Sequence, residues 1–344
     1  MPTNRAAYLT APSSTPLTLS PTPPRYPDET ELLIRTAAVA INQLDWKVQS
    51  TPWDDFTYPL ILGEDVAGTV IAVGSAITRF KPGDRVIGHA VGFFSEDERH
   101  GGFQDYVVLE GNMVCGIPAG LSFEKAVVLP LGVSTAAAGL FQSAPAGLGL
   151  SRPVVGGLAG KNGGGTVLVW GATTSVGSNA VQMAVASGCE VIATAGGKNL
   201  EYVKGLGAVK VVDYKSPNVV EELVAAFKGR RCVGGFDTVG SGDSGKGTAA
   251  VLERVEGKKV FVCVDEVPEA LPAGVTGVYI QAVDIRENEV SEMIYGDYLP
   301  KALAAGKYKA APEPYVAGIG LGAIQGAFEA QKKASARKVV VSIF

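Results

Sequence analysis

The sequence predicts an α/β protein of two domains, a β-barrel domain and a doubly wound domain on a parallel sheet. Three observations predict it. The chain has 344 residues, more than one ordinary core takes. Residues 1–122 carry short strand signals set apart by Gly- and Pro-rich turns. From residue 123 onward, apolar strand-like runs alternate with helix-like runs, the pattern of a parallel sheet with helices on both faces.

Composition narrows the function classes. Hydrophobic residues make up 47% of the chain, and the formal net charge is −4. That is a packed globular composition with no basic block, so nucleic acid is not an expected partner. No run of about 18 apolar residues stands out, so no membrane span is expected. MPTNRAAYLT lacks a signal pattern and VVVSIF is no retention address, so a cytoplasmic protein is expected. Cys115, Cys189, Cys232 and Cys263 lie far apart among apolar neighbours and read as reduced core residues. None are at C-x-x-C spacing, which excludes a structural zinc knot.

The elements follow in order. ELLIRTAAVAIN, DVAGTVIAVGSAI, RFKPGDRVIGH and FQDYVVL are the strand signals of the first domain. SFEKAVVLPLGVSTAAAGLFQ reads as helical, with Ser122 as its cap and Pro130 in its middle. Strands TVLVWG, EVIATA, KVVDY, GFDTVG and KKVFVCV then alternate with helices, and TGVYIQAV supplies a last strand. EVSEMIYGDYLPKALAAG reads as a helix. GAIQGAFEAQKKASARKVVVSIF reads as a helix and a strand returning to the first domain. PVVGGLAGKNGGG carries a GKN that fails as a triphosphate loop, because Asn162 stands where a hydroxyl is required. It reads as a surface loop.

VLVWGATTSVGSNAVQ carries the cofactor argument. Gly171 ends an apolar strand, and Gly177 lets the following helix approach closely. The amides of Ser175, Val176 and Gly177 then stand at a helix N-terminus, which favours a pyrophosphate. Thr173 and Thr174 lie in the same turn, and Thr174 and Ser175 add hydroxyls. The next strand ends in Ala195, Gly196 and Gly197, without the acid that grips a ribose 2′-hydroxyl in NAD sites. Lys198 follows, a cation suited to a 2′-phosphate, and Tyr214 is placed to stack on adenine or reach that phosphate. The expected cofactor is NADPH.

These motifs, with AINQLDWK, LGEDVAGTVIAVGSAITRFKPGDRV, GGFQDYV, LPLGVSTAAAGLF and the final KVVV, resemble the medium-chain dehydrogenase/reductase superfamily along almost the whole chain. The resemblance is to its zinc-free fungal branch, which holds quinone-oxidoreductase-like proteins and trans-acting enoyl reductases. It implies a GroES-like β-barrel catalytic domain, 1–122 with 291–344, and a Rossmann domain, 123–290, with the active site in the cleft between them. The family's catalytic zinc ligands match Asn42, Glu64 and Leu131 here. Leucine cannot ligate and a neutral amide is a poor zinc ligand, so no metal is expected. By the same resemblance Thr135 stands beside the nicotinamide carboxamide. Asn42 and Asp45 line the active site, Val239 lies in the strand end passing the nicotinamide ribose, and Arg337 is a basic residue near the cofactor phosphates.

A metal-free site fits conjugate reduction: hydride to the β-carbon of an enone or enoyl thioester, with the enolate held by hydrogen bonds. Lys47 is the first candidate proton donor or enolate stabiliser and Tyr58 the second. A quinone or carbonyl reductase with the same cofactor is the alternative. A non-catalytic NADPH-binding protein is the reading from another class. The expected partner is a small enone, enoyl or quinone substrate, and the expected state a monomer or homodimer. Substrate choice is assigned to the loops QSTPWDDFTYP, VGFFSEDERHGG and DEVPEALPAGVTG.

Overall fold

Two compact units divide the chain, Met1–Leu131 with Ala310–Phe344, and Gly132–Lys309. They are seen in a computed structural model that describes residues 3–51, 56–157 and 165–344. The GKN of the expected surface loop and part of QSTPWDDFTYP lie outside the described residues.

The first unit is built from β1 (Asn4–Leu9), β2 (Thr18–Thr22), β3 (Glu31–Ala40), β4 (Leu60–Ile61), β5 (Asp65–Val73), β6 (Arg85–His89), β7 (Tyr106–Glu110) and β8 (Val114–Gly116). One sheet runs β2–β1–β4. The C-terminal segment returns β15 (Glu313–Ile319) and β16 (Arg337–Ser342) to a larger sheet, in the order β15–β16–β3–β5–β6–β8, with β7 also on β3. The strands are rich in Val, Ile and Ala, which suit a pleated surface buried on one side. Ile34, Val39, Val66, Phe103, Phe328 and Val341 fill the core between the sheets.

β3 is the strand on which this unit turns. It pairs with β5 along nearly its whole length but slips register between Thr36 and Ala38. The slip leaves Ala37 as the extra residue, while on the other side the Thr36 N–H continues the β3–β7 register by donating to the Asp105 carbonyl at 2.9 Å. The extra residue bends the strand, as bulges do. Gly68 lies opposite: a Cβ there would stand 2.1 Å from the Arg35 carbonyl oxygen.

The second unit holds β9 (Thr166–Trp170), β10 (Glu190–Ala195), β11 (Lys210–Asp213), β12 (Cys232–Asp237), β13 (Val260–Cys263) and β14 (Thr276–Tyr279). They form one parallel sheet in the order β11–β10–β9–β12–β13–β14. The order reverses at β9, so the chain's first strand of this sheet sits at its centre. Open sheets of this kind take ligands at the carboxyl ends of the strands beside such a switch.

Several expectations shift. The first boundary falls at Leu131 rather than 122, and the second at Lys309 rather than 290. The physical reason lies in Val290, Ile294, Tyr295, Leu299 and Leu303, which are buried. They belong to the second unit's core, where Tyr295 Oη bonds Ser134 Oγ at 2.8 Å and Tyr308 Oη donates to Asn179 Oδ1 at 2.6 Å. The expected EVSEMIYGDYLPKALAAG helix forms with a π-helical turn, Glu292–Tyr298. The SFEKAVVLPLGVSTAAAGLFQ helix splits into Phe123–Ala126 and Pro130–Phe141, because Pro130 cannot donate into a preceding turn. Ser122 caps the first piece, accepting the Lys125 N–H at 3.3 Å. The stretch Phe123–Phe141 does reach the length and apolarity of a membrane-crossing helix, contrary to expectation, but 78% of it is buried inside the protein. β15 gave no strand signal, since Pro312 and Pro314 flank its start. It is an edge strand, where proline is tolerated. Cys115, Cys232 and Cys263 are buried and Cys189 half-buried, all four free.

Gly68→Ala is expected to destabilise the protein by about 1–3 kcal/mol through overpacking against backbone. Urea unfolding measures it. Unchanged stability would show that β3 and β5 are not held at this separation.

Candidate active site

Strand register in the first unit lines up one transverse row of polar residues. Val340 of β16 pairs with Ala40 of β3, Ala40 with Asp65 of β5, and Asp65 with His89 of β6. Continuing the antiparallel β16–β3 register brings residue 338 opposite residue 42. There Lys338 Nζ donates to Asn42 Oδ1 and pairs with Asp65 Oδ2 at 2.8 Å. Asn42 Nδ2 donates to the same carboxylate oxygen at 2.8 Å. The second oxygen, Asp65 Oδ1, accepts the Leu131 N–H at 2.6 Å. Lys338 is 5% exposed, Asn42 6% and Asp65 0%. Charges this deep persist only when paired and hydrogen-bonded.

Asn42 also caps the helix Gln43–Ser50. Asp45 reaches back from its first turn: Oδ2 accepts the Asn42 N–H at 2.7 Å, and Oδ1 accepts the Gly63 N–H at 3.1 Å. Both oxygens therefore brace backbone. Burial, and then the Glu64 carboxylate, push the Asp45 carboxyl well above the usual range, against the Asn42 N–H and Lys338, which favour its charged form. Glu64 is buried too, and neither of its oxygens takes a hydrogen bond from the described residues. His89 Nε2 lies 4.0 Å from Glu64 Oε1.

The other barrel residues expected at the site are placed differently. Lys47 is exposed, and being two residues from Asp45 it projects from another side of the helix. Tyr58 is half-buried with its ring on the apolar core, and its buried hydroxyl has no hydrogen-bond partner among the described residues. Arg337 is exposed at the start of β16, and its neighbour Lys338 is the residue that turns inward. Sequence reasoning missed Lys338. The available signal was strand alternation, since 338 and 340 share one face of β16.

In the second unit, β9 runs into Gly171 at φ +88°, a conformation that favours glycine. Its N–H donates to Thr194 Oγ1 at 2.9 Å. A Cβ on Gly177 would stand 2.3 Å from the Gly171 carbonyl oxygen, so the helix Ser175–Ala186 begins hard against the strand end. Thr174 is that helix's cap, its Oγ1 accepting the Gly177 N–H at 2.9 Å and donating to Thr238 Oγ1 at 3.1 Å. The Thr174 hydroxyl and Gly177 amide expected on a phosphate are thus bonded to each other. Ser175 and Val176 supply the helix's other first-turn amides, at the end of the dipole that favours an anion. Thr173, Ser175 and Val176 are half-buried around them.

Two neighbours frame this turn. Val239, 43% exposed, lies with Cγ2 2.4 Å from where a Gly171 Cβ would stand. Asp237 fixes that loop, accepting the Val239 N–H at 3.0 Å and the Ser244 hydroxyl at 2.7 Å. A Cβ on Gly132 would meet Ser175 Oγ at 2.5 Å, so the helix Pro130–Phe141, which carries Thr135, passes the same turn. Beyond β10, Lys198 is exposed and Tyr214 is 48% exposed. The Tyr214 ring stands 3.5 Å from where a Gly196 Cβ would be. Lys215, a cation the sequence reading passed over, lies 5.8 Å above that ring. Asp213 also stands close, beside Gly197.

Two family models match the chain: the alcohol dehydrogenase GroES-like domain over residues 28–119 and the zinc-binding dehydrogenase over 175–297. Dehydrogenase azaJ of Aspergillus niger is 43% identical over 354 residues, covering all of both chains. Trans-enoyl reductase himH of Aspergillus japonicus is 36% identical, over 99% of this chain and 97% of its own. The solved CurK enoyl reductase shares the fold with a TM-score of 0.74 at 22% identity, covering 98% of this chain and 99% of its own. Fold and site define a two-domain nicotinamide-dependent oxidoreductase. The chain belongs to the medium-chain dehydrogenase/reductase family, and its two units are the GroES-like and Rossmann-type domains of that family.

The zinc in the second model's name meets poor donors here. Among the described residues no three His, Cys, Asp or Glu side chains are grouped to hold a metal. The Asn42 carbonyl is taken by Lys338, whose ammonium pairs with the adjacent carboxylate. A dication beside that ammonium would be repelled, and zinc favours thiolate and imidazole. The residues present do not fit zinc. A dinucleotide fits better, since the glycines at 171 and 177 leave room that a Cβ would fill.

Because Asp45 binds its proton more tightly folded than unfolded, stability should fall as pH rises from about 4, the unfolded carboxyl value, through the raised folded one. Asp45→Asn is expected to flatten that fall. It should also cost about 1 kcal/mol at low pH, where one backbone bond is lost. Thermal melts across this pH range decide it, and parallel pH profiles for the two proteins would contradict the assignment.

Proposed function

We propose that the chain is an NADPH-dependent, zinc-independent reductase of α,β-unsaturated carbonyl compounds. The observation that carries the reading is the buried Lys338–Asp65–Asn42 row, hydrogen-bonding machinery where a metal enzyme of this family would place its zinc. The himH relative's name supports an enoyl substrate.

Bound NADPH supplies the hydride. The chain's residues bind, orient and protonate. Ser175 and Val176 would offer backbone N–H groups to the pyrophosphate, and Lys198, Lys215 and Tyr214 would receive the 2′-phosphate. Thr135 would hold the carboxamide and Val239 would flank the ribose. Asn42 donates to the substrate's carbonyl oxygen. As the β-carbon gains hydride, the C=C electron pair moves toward that oxygen, and the charge developing there is stabilised by a fixed donor. The α-carbon then takes a proton from water or from the Tyr58 hydroxyl, the candidate side-chain source. The sum is one hydride and one proton added across the double bond, with the carbonyl retained.

Cofactor titration tests the first half of this reading. NADPH should bind at least about tenfold, or about 1.4 kcal/mol, tighter than NADH. Most of that preference should vanish in Lys198→Ala and part of it in Lys215→Ala. Equal affinities would remove the 2′-phosphate site from the account. An acceptor panel tests the second half. Turnover of enones that survives chelation is expected. Turnover of quinones or saturated ketones alone would move the protein to that reductase class, and tight NADPH binding with no acceptor would make it a binding protein. Loss of activity on chelation, restored by zinc, would overturn the metal-free reading.

A further inference from the structure

Asn42 is held by partners that permit only one orientation of its amide. Lys338 Nζ can only donate, so the atom facing it is the carbonyl oxygen. The Asp65 carboxylate, ion-paired to that lysine, accepts from Nδ2. The two contacts assign the same orientation, Oδ1 toward Lys338 and one Nδ2 hydrogen toward Asp65. Nδ2 has two hydrogens, and the second meets no acceptor among the described residues. In a side chain only 6% exposed, that second hydrogen is a donor still open to a ligand.

We infer that Lys338 is a positioning residue: through Oδ1 of Asn42 and with Asp65, it locks the amide so that the remaining Nδ2–H is presented to the substrate's carbonyl oxygen. Lys338 does not touch the substrate. Its charge pairs with Asp65, and its hydrogen bond decides which end of Asn42 faces outward. Without it the carbonyl end could rotate outward and repel a developing oxyanion. The inference rests on the reductase reading for its consequence in turnover, but the lock itself does not.

The test uses the full-length protein and four variants: Lys338→Met, Lys338→Arg, Asn42→Ala, and the Lys338→Met/Asn42→Ala double variant. In Lys338→Met, kcat for an enone should fall by roughly 10- to 100-fold, with KM and the NADPH Kd within about threefold of wild type. Lys338→Arg should recover a large part of that loss. Residues acting through one another are not additive, so the double variant should be no slower than the slower single one. A double-variant loss equal to the product of the single losses would overturn the inference, as would full kcat in folded Lys338→Met. If Lys338→Met does not fold, Lys338→Met/Asp65→Asn, which removes the stranded carboxylate charge together with the donor, takes its place, with the same loss expected and full kcat again overturning the inference.

A second readout needs no turnover. The Asn42 side-chain NH2 should give two separate, slowly exchanging proton resonances in wild type. Hydrogen exchange there should be roughly tenfold faster in Lys338→Met, as expected for local release. An unchanged NH2 pair overturns the lock. A released pair supports it even if the wild type reduces no acceptor, and that second result counts against the reductase reading alone.

Discussion

The buried ion pair between Lys338 and Asp65 is the constraint on which the first unit's polar row depends. Neither charge is tolerated alone at this depth, and removing one partner of such a pair costs about 3–5 kcal/mol. The pair therefore commits β16, at the C-terminal end of the chain, to a fixed place beside β3 and β5. That placement sets Asn42, which starts the Gln43–Ser50 helix, and Leu131, in the first turn of the Pro130–Phe141 helix. Asp45 then braces the same corner from the helix side by tying Asn42 to Gly63. One interaction orders a strand end, two helix starts and a turn.

The second unit works by a complementary principle, close approach without charge. Gly171, Gly177 and Gly132 remove side chains where a strand end and two helix starts converge. Thr174 and Thr238 satisfy the polar groups that this crowding buries. The helix start that results, at Ser175 and Val176, carries first-turn amides of the kind that suit an anion. In the proposed reading, selectivity between phosphorylated and plain dinucleotides falls to the exposed side chains beyond β10 and β11, away from the packed turn.

Much of this was legible in the sequence, for identifiable reasons. The strand–helix alternation after 123 and the Gly171–Gly177 turn are local patterns, and local patterns survive without coordinates. The polar row was legible only in pieces. Asn42 and Glu64 attracted notice because they match the family's zinc-ligand positions, while Lys338 looked like the polar end of KVVV. Its role comes from a strand pairing that joins residues almost 300 positions apart, which no window of sequence contains. The same limit explains Lys47: its neighbour Asp45 is close in sequence, yet the helix turns the two apart. Thr174 was assigned a phosphate because hydroxyl and helix start coincide, and the structure spends that hydroxyl on capping the helix. The boundary at 309 escaped because EVSEMIYGDYLPKALAAG is amphipathic without saying which core it joins.

The measurement that tests the account most directly is the fate of label in one turnover. The protein is given an α,β-unsaturated ketone and NADPH carrying deuterium at the transferring carbon, and the product is read by NMR. The account predicts deuterium at the β-carbon, a solvent proton at the α-carbon and an intact carbonyl. Deuterium on the carbinol carbon, with the double bond retained, would contradict it.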